Sequence, residues 1–80
     1  MKLPRDVSGD ALANALKALG YRITRQTGSH MRLTTTQGGE HHITIPRHAP
    51  LRIGTFAAVL DEVASHFGMG RDELLSKIKF

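Results

Sequence analysis

The chain has 80 residues and a mass of 8.8 kDa. That suits one domain over residues 1–80 with a thin core, since a chain this short buries only about 60–65% of its unfolded surface. Hydrophobic residues at 40%, charged residues at 22% and a net charge of +4 indicate a folded, mildly basic protein. The lack of cysteine excludes a disulfide scaffold, a thiolate metal site and a cysteine nucleophile.

Met1-Lys2-Leu3-Pro4-Arg5-Asp6 has no apolar signal segment, and no run approaches the about 18 apolar residues of a membrane span. A soluble, cytoplasmic protein with no membrane association is expected. Ser8-Gly9-Asp10 then reads as a helix start, with Ser8 as N-cap and Asp10 favouring the positive dipole end. Ala11, Leu12, Ala15, Leu16 and Leu19 follow at helical spacing, and Gly20 is placed to end the helix.

From Tyr21 the period changes to two. Tyr21 to Gln26 alternates as a strand, Gly28-Ser29 is a turn signal, and His30 to Thr35 alternates again. A loop around Gly38-Gly39 leads to a third strand from His41 to Ile45, which Pro46 is expected to stop. Gly54-Thr55 opens a second helix with Phe56, Val59, Leu60, Val63, Ala64 and Phe67 as its apolar stripe and Gly68 at its end. A short third helix is expected from Arg71 to Lys79. The order is α-β-β-β-α-α, an α+β fold in which helices cover one face of a three-stranded antiparallel sheet.

Alternation decides which side chains face away from the helices. If Ile23, Met31, Leu33, Ile43 and Ile45 point inward, the open face carries Arg22, Thr24, Gln26, His30, Arg32, Thr34, His42 and Thr44. That face has arginines and imidazoles and no acid. Between Tyr21 and Arg52 there are five arginines and four histidines, against Glu40 as the sole acid. Such a block suits a polyanion, most often nucleic acid. The plainer account is an ordinary solvated sheet face on a protein kept soluble by its charge.

His30 stands directly after Gly28-Ser29. Glycine permits close approach of a phosphate, serine can hydrogen-bond its oxygens, and imidazole exchanges protons near neutrality. Arg32 shares the face and suits the charge of a phosphorane-like transition state. Together they fit RNA cleavage without a metal, in which a base removes the 2′-hydroxyl proton and that oxygen attacks phosphorus. His42 is a candidate for the second proton-transfer group.

Residues 8 to 75 resemble the HicA toxins of bacterial and archaeal toxin–antitoxin pairs. The resemblance rests on Gly20-Tyr21, Arg25-Gln26-Thr27-Gly28-Ser29-His30, His42-Ile43-Thr44-Ile45-Pro46-Arg47-His48 and Leu51-Arg52-Ile53-Gly54-Thr55-Phe56. It implies a fold like the double-stranded-RNA-binding domain and a ribosome-independent mRNA endonuclease, with the family's essential histidine on His30. It also implies a HicB antitoxin partner that masks the site. Leu33 departs from the family, which often has an aromatic residue there.

Other chemistries fit less well. His41 and His42 are adjacent on a strand and point to opposite faces, so with only Glu40 nearby no metal site or cofactor is expected. His48 follows Pro46 in a loop and suits either an RNA contact or a structural role. Gly54 could admit a phosphate to the helix start, or Thr55 could simply cap it. His66 near a helix end has a favourable dipole contact as its simplest account. Ser29 lacks an aspartate–histidine relay and is not read as a nucleophile. The alternative from another class is a non-catalytic RNA-binding module using the same face.

Overall fold

The computed structural model describes residue 3, residues 6–47 and residues 50–78. Helix α1, Gly9–Leu16, begins as the sequence indicates: Ser8 is extended, and its Oγ accepts the Ala11 N–H at 3.1 Å. The helix tightens into a 3₁₀ turn over Lys17–Leu19. Gly20, at φ 83°, then reverses the chain, with Gly20 N–H donating to Lys17 O and Tyr21 N–H to Leu16 O. This double closure satisfies carbonyls that the helix end would otherwise leave open.

Strands β1 (Arg22–Thr27), β2 (His30–Thr35) and β3 (His41–Pro46) form one antiparallel sheet in the order β1-β2-β3. Pro46 is the last residue of β3, which therefore runs one residue past the expected end at Ile45; an edge strand tolerates proline there because its missing N–H can face solvent. Helix α2 runs Ile53–His66 with Arg52 at the N-cap position. Thr55 therefore lies inside the helix and does not cap it. Gly68, at φ 67°, ends α2 with the same double closure as α1, through Gly68 N–H to Ser65 O and Met69 N–H to Ala64 O. Helix α3 spans Arg71–Lys77 and ends short of the expected Lys79, because Ile78 is already extended at φ −118° and ψ 154° and turns into the core.

The core lies between the helices and the inner side of β2 and β3. Leu12, Leu16, Tyr21, Met31, Leu33, Ile45, Phe56, Leu60, Val63 and Leu74 are all buried. Thr35 is buried among them with its hydroxyl satisfied twice, donating to Leu19 O at 2.8 Å and accepting the Gln37 N–H at 3.1 Å. One expected core residue fails. Ile23 pairs with the buried Leu33, yet it is 49% exposed. β1 is an edge strand that α1 touches without burying, and all six β1 residues are exposed.

α1 is fixed to the end of β3 at close range. A Cβ on Gly9 would fall on the Pro46 carbonyl. Asp10 N–H donates to Arg47 O at 3.3 Å, and Arg47 Nε donates to Asp10 Oδ1 at 3.2 Å. Arg47 N–H in turn donates to Ser29 O at 2.7 Å, so the β1–β2 turn and the start of α1 hold the same residue.

Candidate nucleic-acid interface

The open face is built in three rungs. His30 on β2 lies opposite Thr27 and Pro46. Arg32 lies opposite Arg25 and Thr44, and Thr34 opposite Arg22 and His42. The intervening β2 and β3 residues Met31, Leu33, Ile43 and Ile45 are buried, so Arg22, His30, Arg32, Thr34, His42 and Thr44 face outward as alternation requires.

β1 breaks the alternation. The register shifts between Ile23 and Arg25, so Thr24 is an extra residue in a bulge. Its Oγ1 stays on the open side, within 2.8 Å of Thr34 Oγ1, and donates to Arg32 O at 3.3 Å. Beyond the bulge the parity inverts. Arg25 and Thr27 join the open face, and Gln26, expected there, pairs with Met31 on the helix side. Arg25 is thus the residue that strict alternation misses. A signal was present: unbroken alternation from Ile23 would aim Arg25 at the apolar side, a conflict that a bulge removes.

Arg25, Thr27, His30, Arg32, Thr44 and His42 line an open hollow of about 550 Å³, and Ile43 and Glu62 complete its lining. His30 is exposed, and its imidazole has no hydrogen bond or ion pair among the described residues. Gly28 precedes it at φ 57° with open space where a Cβ would stand. The glycine therefore serves the backbone geometry of the two-residue turn rather than close approach by another group. Ser29 is exposed beside it, its carbonyl held by Arg47.

His42 is held instead of free. Nε2 lies 2.8 Å from Glu40 Oε2, and Nδ1 lies 2.7 Å from Thr34 Oγ1. In the neutral ring, Nε2–H donates to the carboxylate and Nδ1 accepts the threonine hydroxyl. Glu40 and Glu62 mean that the face is not free of acids, contrary to the sequence expectation. Both sit on the β3 side, because the β2–β3 loop returns Glu40 beside His42 and α2 brings Glu62 to the same edge. The register also separates the imidazoles: His42 stands two rungs from His30, about 13–14 Å between backbones.

His41 points the other way, as adjacent strand residues must. The Tyr21 hydroxyl lies 2.6 Å from its Nδ1, and its ring stacks on His66 at 4.5 Å and 12°. Burial foremost, and then the neighbouring His66, push its pKa down. Tyr21 is pushed up to about 12, mainly by burial and then by Glu62. His66 does more than meet a helix dipole, since its Nε2 lies 2.9 Å from Gln37 O and ties α2 to the β2–β3 loop. Among the described residues no cluster of three His, Cys, Asp or Glu side chains suits a metal ion. His48 lies outside the described residues. Gly54 occupies the first turn of α2 with open space around it.

The arrangement can bind an anion and move a proton beside it. Neither curated proteins nor solved structures gave a match to the chain. A family model described as the HicA toxin of bacterial toxin–antitoxin systems does match, over residues 9–64. That span runs from the first residue of α1 to the last turn of α2 and takes in every rung of the open face, so the chain belongs to the HicA toxin family.

Proposed function

We propose that this toxin is a metal-independent mRNA endoribonuclease in which His30 transfers the proton. The observation that carries this reading is the exposed imidazole of His30, without a hydrogen bond or ion pair among the described residues and one rung from Arg25 and Arg32 in an open hollow. His30 takes the proton of a ribose 2′-hydroxyl as that oxygen attacks the adjacent phosphorus. The P–O5′ bond breaks, leaving a 2′,3′-cyclic phosphate and a 5′-hydroxyl that receives a proton. Arg32 and Arg22 hold phosphate, and Ser29 supplies a hydroxyl beside the reacting group. The protein acts in the cytoplasm, and its control is a HicB-type antitoxin that covers this face.

Purified protein in EDTA, wild type beside His30→Ala, tests the reading. Wild type should cut RNA and His30→Ala should lose about 10²–10⁴-fold in rate with its circular dichroism unchanged. Cleavage by His30→Ala at the wild-type rate would remove His30 from the chemistry. The non-catalytic RNA-binding reading draws support from His42, which stands two rungs from His30 and has both ring nitrogens held by Glu40 and Thr34. Binding without cleavage by either protein would select that reading.

A further inference from the structure

We propose that Arg25 and Arg32 form a two-guanidinium clamp that grips one phosphodiester of the RNA next to His30. The clamp rests on the reading of this face as an RNA-binding surface.

The two arginines are direct cross-strand partners on the solvent side of β1 and β2. Like charges placed directly opposite repel and weaken the strand pair. Neither has a carboxylate partner among the described residues, although two arginines elsewhere do: Arg47 holds Asp10 and Arg71 holds Asp61. Among the described residues, then, no carboxylate at ion-pair distance offsets the repulsion. An anion seated between the guanidiniums would turn it into two charge-assisted contacts, and a phosphate offers the paired oxygens that such forks match.

The bulge is what creates the pair. Without the extra residue at Thr24, Arg25 would face the helix side and Arg32 would stand alone. Thr24 secures the distortion, since its hydroxyl lies 2.8 Å from Thr34 Oγ1 and donates to the Arg32 carbonyl. Bulges commonly re-aim a side chain beside a functional site.

Charge across the face gives the anion a side. The arginines stand at the β1–β2 half, one rung from His30, and the acids stand at the β3 edge, Glu40 on His42 and Glu62 beside His41. A sugar–phosphate backbone is drawn to the first half and repelled from the second. The occupant is thus a phosphodiester running over β1 and β2, not across β3.

The test uses an eight-nucleotide RNA with 2′-O-methyl groups throughout, which binds but offers no attacking hydroxyl. Arg25→Gln should weaken its binding by about 10–100-fold. The same variant should raise the Tm of the free protein at low salt by about 1–5 °C, because it removes the repulsion. Arg25→Lys should keep the repulsion, leave the Tm unchanged and still lose affinity, since an ammonium cannot make the paired contact. Lys17→Gln, on the helix side, should change neither property. A lower Tm for Arg25→Gln, or unchanged binding, would overturn the clamp. Failure of the wild type to bind would remove the RNA reading and the clamp together. Binding that Arg25→Gln weakens, combined with full cleavage of ordinary RNA by His30→Ala, would sink only the catalytic role.

Discussion

His41 and His42 are neighbours in sequence and have opposite fates in the fold. His42 is exposed and spends both ring nitrogens on Thr34 and Glu40, whereas His41 packs between Tyr21 and His66 with its pKa pushed down. Strand alternation makes that split legible in advance; the stacking partner and the tyrosine contact are not, because they join residues 20 and 25 positions away. A folded-state pKa below the ordinary 6.5 sets the sign of the pH effect. Above pH 6.5 His41 is neutral in both states and its contribution is full. As pH falls through 6.5, the unfolded chain takes up a proton that the folded one resists, and stability declines until the folded ring protonates. Thermal melts from pH 7.5 to 5 should show this loss, and His41→Gln should have a shallower slope. An unaltered slope would assign the acid sensitivity elsewhere.

Among the elements, α1 was the most legible. Its cap at Ser8, its apolar spacing and its stop at Gly20 all depend on residues within a few positions of one another, and the structure keeps the cap, the stop and the stripe of Leu12, Ala15, Leu16 and Leu19, with Ala13 buried in place of Ala11. What Gly9 does was not legible. It looks like a weak helix former next to a cap, but it is where α1 meets the end of β3, with no room for a Cβ against the Pro46 carbonyl. Gly9→Ala should therefore destabilise the protein by about 1–3 kcal/mol in urea unfolding, despite alanine's better helix propensity. A stabilised variant would mean that α1 can shift away from β3 at little cost. The Thr55 cap failed for the related reason that α2 starts two residues earlier at Ile53, leaving the hydroxyl within the first turn.

For the molecule as a whole, the basic block becomes a polarised face, with Arg22, Arg25 and Arg32 over β1 and β2 and the acids along β3. RNA binding that uses these three arginines should weaken with salt at a log–log slope of about −2, the value for three phosphates on a single strand. A flat response between roughly 50 and 200 mM salt would mean that base or shape contacts dominate. The layered α+β architecture, the inward residues of β2 and β3 and the outward placement of His30 and Arg32 followed from sequence, because they depend on local periodicity and on an apolar side that must be covered. The inversion of β1 beyond Thr24, the exposure of Ile23, the entry of Arg25 and the tether of His42 by Glu40 came only with the tertiary structure. Each depends on how one strand registers against another, or on where a helix or loop ends over the sheet. Local pattern shows at most the conflict, an arginine at an inward position of β1, and not which residue the partner strand forces out of step or where the covering elements end.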